Sequence, residues 1–196
     1  ETLDLLLDET TRDTHNPNVV ISACKIDTGS LSSLYFLKDK GFKFDVPDVS
    51  GYLPIHYACK LTDVDTVKLL TQNSETVNTP DPKGRISIHF ACKNINHGEE
   101  IVEMLCDMRV SVHAKDANGC LPIHHACRNE NPDLIQLLID RGAKIDVPDG
   151  YGQFPIHDAC GNEVYALEFV KLLIENKTVL NVADINGDTP IHIACT

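Results

Sequence analysis

The sequence predicts an all-α repeat protein, a stacked array of turn-and-two-helix units. Three observations carry that prediction. The string "LPIHYAC" (53–59) returns as "ISIHFAC" (86–92), "LPIHHAC" (121–127), "FPIHDAC" (154–160) and "TPIHIAC" (189–195), so His56, His89, His124, His157 and His192 follow one another at 33, 35, 33 and 35 residues. Self-similarity at that period marks repeats that bury their apolar faces only by stacking. An Asp-x-x-Gly turn precedes each copy, and a second apolar stretch with helical spacing follows four of the five.

In chain order, "TLDLLL" (2–7) reads as a helix of a preceding unit or a cap, with 1–15 its linker region. "VVISAC" (19–24) keeps the Ala and Cys of the motif without the Pro and His, a degenerate repeat over 16–47. Full repeats occupy 48–80, 81–115, 116–148 and 149–183, and 184–196 is a truncated one. The start at Glu1 and the stop just after a motif suggest a piece of a longer chain.

Each repeat opens on Asp48, Asp81, Asp116, Asp149 or Asp184, whose carboxylate can bond the backbone ahead, with Gly three places on to relieve the reversal. The motif proline then starts a short helix, except at Ser87, where the start should be less rigid. The longer helix is clearest in "NPDLIQLLIDRG" (131–142). Asn131 caps it, Pro132 and Asp133 suit its first turn, Leu134/Leu138 and Ile135/Ile139 form one apolar face, and Gly142 ends it. Gly41 plays the same stop role earlier, while Ser74, Arg109 and Lys177 hold that position elsewhere, where a non-Gly residue is strained. From motif Cys to the paired hydrophobics there are ten and eleven steps in two repeats and twelve and thirteen in the others, which puts the two extra residues in the loop between helices.

Turn, motif and second helix recur together and resemble the ankyrin repeat, with "DINGDTPIHIAC" (184–195) nearest its pattern and Cys standing for the second Ala in every copy. The resemblance covers residues 16–196 and implies an ankyrin solenoid, β-turn tips along one edge and paired antiparallel helices behind. It also implies that the motif histidines bond turns across repeats, and that Asn78 and Asn181 are candidates for hydroxylation.

A His and a Cys one helical turn apart invite a metal or catalytic reading, and the period argues against it. Zinc needs four ligands at about 2.0 to 2.3 Å. Equivalent residues in neighbouring repeats run as a ladder about 8 to 10 Å apart, too far for shared coordination or for disulfides. No catalytic, metal-ligating or cofactor-binding residue is therefore expected. The cysteines act as small hydrophobes, reduced in an intracellular, cytoplasmic setting. Cys120, beside Gly119 at a turn tip, is expected to be exposed.

Net charge is −12 over 196 residues, with 42% hydrophobic, which fits a folded protein and disfavours nucleic acid. No run reaches the roughly 18 apolar residues of a membrane span. The expected function is a non-catalytic scaffold, acting as a monomer on a protein partner. The resemblance places binding on turn tips and the concave first-helix groove: Tyr52, Lys83, Arg85, Asn118, Tyr151 and Gln153. Tyr52, Arg85 and Tyr151 are the leading anchors by residue type. His125 and Asp158, polar where sister repeats have Tyr57, Phe90 and Ile193, suggest a partner-facing or solvent-facing spot. Lys60, Lys93 and Arg128, with Lys25, add a cationic column after the motif Cys. It serves either as a complement to helix dipoles or as a stripe for acidic or phosphorylated peptide or anionic lipid. A regulatory segment of a larger enzyme or channel is the other reading.

Overall fold

The computed structural model describes residues 14–25, 30–72 and 75–195, so "TLDLLL" and Ser74 lie outside it. Eleven α-helices run through the described residues, and none of these residues is in a β-strand. Short motif helices alternate with second helices: α1 (Pro17–Cys24), α2 (Ser30–Asp39), α3 (Pro54–Leu61), α4 (Val64–Thr71), α5 (Ser87–Ala91), α6 (Gly98–Asp107), α7 (Pro122–Cys127), α8 (Pro132–Asp140), α9 (Pro155–Cys160), α10 (Ala166–Glu175) and α11 (Pro190–Ala194). A 3₁₀ turn, Glu75–Asn78, follows α4.

Odd-numbered helices pack in one row from α1 to α11, even-numbered helices in a second row from α2 to α10, and each odd helix packs on the even helix that follows it. The core lies between the rows. Ile55, Ile88, Ile123 and Ile156 enter it from the motif helices, each followed by a buried Ala three residues on. Val67, Leu70, Ile101, Leu105, Leu134, Leu138, Phe169 and Leu173 meet them from the second row. Cys24, Cys59, Cys92 and Cys127 are buried between motif helices, and all eight cysteines are free thiols. Burial raises the Cys24 thiol to about 12 and pushes Cys59, Cys92 and Cys127 up as well, so these thiols stay protonated and act as small apolar groups.

The stops are as regular as the starts. Asn131 Oδ1 accepts from Leu134 N at 3.3 Å, and Pro132 opens α8. After α2, α6, α8 and α10 the backbone closes with a bond from the third residue beyond the helix: Phe42 N to Leu37 O, Val110 N to Leu105 O, Ala143 N to Leu138 O and Thr178 N to Leu173 O. The residue before each donor is left-handed: Gly41 and Gly142, but also Arg109 (φ 63°) and Lys177 (φ 66°), which carry the strain their side chains imply. Ser87 is no weak start. Its hydroxyl donates to Val77 O at 2.7 Å, tying α5 to the 3₁₀ turn of the preceding repeat in place of proline's rigidity.

Candidate functional site

The turns are built by one carboxylate oxygen each. Oδ1 of Asp48 accepts from the N–H groups of Ser50 and Tyr52, and the same pair of bonds, two and four residues ahead, recurs at Asp81, Asp116, Asp149 and Asp184. That fixes the backbone. The second oxygen takes a different partner in each turn: Tyr57 Oη on Asp48, Arg85 on Asp81, His125 on Asp116, Cys120 on Asp149 and the Asn186 amide on Asp184. These bonds to the ionised form outweigh burial and hold Asp48, Asp81, Asp116 and Asp184 below the usual carboxylate range, Asp116 at about 2.

Neighbouring tips are joined to one another. Lys83 O accepts from Ala117 N at 2.8 Å, Asn118 O from Gly150 N at 2.7 Å, and Tyr151 O from Ile185 N at 3.1 Å. The equivalent rung between Ser50 and Pro82 cannot form, because proline has no N–H. A side-chain bond spans that joint instead: Arg85 Nη2 donates to Tyr52 Oη at 3.0 Å, with the guanidinium 4.7 Å from the Phe90 ring centroid.

Behind the tips, each motif imidazole works in two directions. Nδ1 of His56, His89, His124, His157 and His192 accepts from the N–H three residues earlier at 3.0 to 3.1 Å, capping the helix start. An accepting Nδ1 leaves the proton on Nε2, which reaches the backbone at the next turn: Thr79 O and Ala114 O two residues before Asp81 and Asp116, and Gln153 O and Asp188 O four residues after Asp149 and Asp184, at 3.0 to 3.2 Å. Burial lowers the pKa of His56 and His89, and that of His124 to about 4, since a second ring proton would have to displace the capping N–H.

The residues singled out by sequence fall into two groups. Tyr151 is 54% exposed, and Lys60, Lys83 and Asn118 are exposed along the same edge, with Gln153 half-exposed. Tyr52 and Arg85 are not free anchors. The Tyr52 ring packs among His56, Tyr57 and Phe90, and Arg85 is held by the buried Asp81. The partner-facing reading of His125 and Asp158 is likewise corrected. His125 is buried on its own turn, Nε2 to Asp116 Oδ2 at 3.0 Å, with burial lowering it to about 4. The Asp158 side chain is 6% exposed, its Oδ1 accepting from Arg128 Nε at 2.7 Å and its Oδ2 without a hydrogen bond. Burial raises Asp158 to about 6, although Arg128 opposes the shift.

Cys120 also departs from expectation. It is 2% exposed, because its Sγ turns inward to donate to Asp149 Oδ2 at 3.4 Å, with Arg128 Nη1 at 3.6 Å. Asp116, Cys120 and His125 thus gather donor atoms within 4.8 Å of one another, a convergence inside one repeat that the ladder argument does not address. Their bonds are already committed to Asp116 and Asp149, and burial raises the thiol to about 11 beside the Arg128 cation. The cluster's chemistry is that of a turn lock.

The cations after the motif cysteine line the groove in front of the motif helices. One cleft of about 340 Å³ is walled by Lys25, Lys60, Lys83 and Lys93 with Tyr52 and Phe90, and Lys83 and Lys93 continue into a second of about 330 Å³ that reaches Arg128. Farther along, Arg128, Asp158 and Glu163 line a third of about 430 Å³. A family model described as ankyrin repeats (3 copies) matches residues 1–116, 64–149 and 123–196. The chain belongs to the ankyrin repeat family. Ankyrin repeats are generally protein–protein interaction modules and typically non-catalytic. No curated protein matches the chain. No helix among the described residues is long and apolar enough to cross a membrane.

The ankyrin stack has a second ladder that motif reading passes over. Two residues after the motif cysteine, the Asn94 amide donates to Cys59 O and Thr62 O, Asn129 to Cys92 O, and Asn162 to Cys127 O and Asn129 O. These bonds run back to the preceding repeat, opposite to the histidine bonds. In the two longer loops among the described residues Oδ1 also accepts from the backbone two and three residues ahead, at Asn96 and His97 and at Val164 and Tyr165. The added residues are therefore an ordered turn built on asparagine. The Asn at a fixed offset from Cys92, Cys127 and Cys160 was its visible signal.

Proposed function

We propose that the chain is a non-catalytic interaction scaffold that holds a protein partner against its turn tips and first-helix groove. One contrast supports this reading. The turn backbones, motif histidines and asparagines are spent on the stack itself, while Tyr151, Asn118, Gln153, Lys83, Lys60 and Lys93 show no side-chain hydrogen bond or ion pair among the described residues. A surface so held loses little ordering entropy when a partner seats on it. Tyr151 is the anchor of choice, a large amphipathic side chain on a fixed turn. Arg128 contributes through its charge while bound to Asp158, and Tyr52 and Arg85 shape the groove floor. The eight free thiols fit a reducing, intracellular setting.

The test is capture on immobilised protein from extract of the source cells, read by mass spectrometry. The Tyr151→Ala/Lys83→Ala double variant is expected to lose specific proteins that Lys171→Ala, on the opposite row, retains. Equal retention by both variants, with unchanged circular dichroism, would remove the assignment to the tips.

A further inference from the structure

We propose that the cleft between the first and second turns, those of Asp48 and Asp81, is an oxyanion pocket, taking a phosphate monoester or clustered carboxylates on an extended peptide. The proposal deepens the protein-binding reading and rests on it. Four ammonium groups, Lys25, Lys60, Lys83 and Lys93, wall a space of about 340 Å³, and no carboxylate lines it among the described residues. The chain as a whole carries −12, so this is a local inversion of sign.

None of the four is ion-paired to a carboxylate lining the cleft among the described residues. Among the described residues Lys60, Lys83 and Lys93 have no ion pair or hydrogen bond from Nζ, and Lys25 lies over the Tyr57 ring at 4.4 Å. Arg85, the fifth cation of the cleft, is neutralised by bonds from Nε and Nη2 to Asp81 Oδ2. Lys93 is half-buried and its pKa is lowered, by burial first and then by Arg85, Lys60 and Arg128. A helix C-terminus sits behind Lys60 and Lys93 and offsets part of each charge. It does not offset ammonium groups that share one cleft and repel one another. An oxyanion set among them relieves that repulsion and replaces the water lost by Lys93.

An extended peptide suits the site better than a flat surface. The cleft is recessed behind the tips and continues past Lys93 toward Arg128, giving a groove along the row of motif helices in which a single anionic side chain can seat. The experiment uses immobilised peptides with randomised flanks around a fixed phosphoserine, Glu-Glu, Ser-Ser or Lys-Lys centre. Phosphoserine or Glu-Glu peptides are expected to retain the protein at least tenfold better than Ser-Ser, with retention falling steeply as salt rises. The order of those two distinguishes phosphate from carboxylate as the source. Lys93→Met is expected to bring retention down to the Ser-Ser level. Lys171→Met, on α10, makes the same change of net charge and is expected to have no effect. Lys93→Met removes a desolvated charge, so its denaturation midpoint should equal or exceed that of the wild type, which separates lost binding from lost fold.

Equal retention of neutral peptides, unaffected by Lys93→Met, would overturn the oxyanion pocket and leave the protein-binding reading standing. Adsorption to phosphatidylserine vesicles without retention of any anionic peptide would overturn it in favour of a membrane surface.

Discussion

Asp158 sits where its sister repeats carry Tyr57, Phe90, His125 or Ile193, and its surroundings give it half of what a carboxylate needs. Arg128 serves Oδ1, and Oδ2 has no donor. With a folded pKa of about 6 against an ordinary value of 3.8, the folded protein holds a proton there that the unfolded chain releases. Wild type therefore gains stability as pH falls through 6, and a variant that cannot titrate does not. Comparing Asp158→Asn with wild type by urea unfolding, we expect the difference to move in favour of wild type by on the order of 2 kcal/mol between pH 8 and pH 5. A constant difference would show that Arg128 keeps the carboxylate ionised throughout. Nothing in the local sequence announced this state, because it depends on Arg128, thirty residues away, reaching across one repeat. Cys120 was misplaced for the same reason. Its position at a tip was legible, but the Asp149 oxygen that draws it inward belongs to the next turn.

Among the elements, turns and helix stops use glycine differently, and a methyl group distinguishes them. At Gly119 (φ +77°) an added Cβ would stand 2.9 Å from Gly150 N and spoil the rung to Asn118 O. At Gly142 (φ +86°) nothing lies within 4 Å. Gly142→Ala is thus expected to cost about 1 to 2 kcal/mol, the left-handed strain alone, whereas Gly119→Ala adds a lost hydrogen bond and a clash, about 2 to 4 kcal/mol in total. Denaturant midpoints decide it, and equal costs would mean the rung contributes nothing. Sequence reading placed these turns and stops well, since Asp, Gly, Pro and Asn act within a few residues of themselves. It treated the longer inter-helix loops as slack, and the asparagine bonds to the preceding repeat show they are ordered joints.

At the scale of the whole array, the period alone was enough to give two helical rows, because stacking repeats must repeat their buried positions. It could not say which surface residues the stack keeps for itself, and Tyr52 and Arg85 are the instructive pair, chosen as anchors by type and found bonded to each other. The histidine ladder predicts a pH response of the entire molecule. His124 and His125 titrate near 4 when folded, and their unfolded value is near 6.5, so unfolding takes up protons between those limits and stability falls as pH drops through 6.5 toward 4. Asp158 opposes this below 6. The net loss expected from pH 7 to pH 5 is roughly 2 to 4 kcal/mol, seen as a lower denaturation midpoint. An unchanged midpoint would contradict the neutral, doubly bonded imidazoles. Finally, Pro82 interrupts the backbone rungs at one joint of the tip row, the one that Arg85 and Tyr52 bridge with side chains. In mechanical terms the array is a spring with one soft coil. Side chains can swivel where backbone rungs cannot, so curvature is most cheaply changed between the first and second turns, the place where four lysines line the groove.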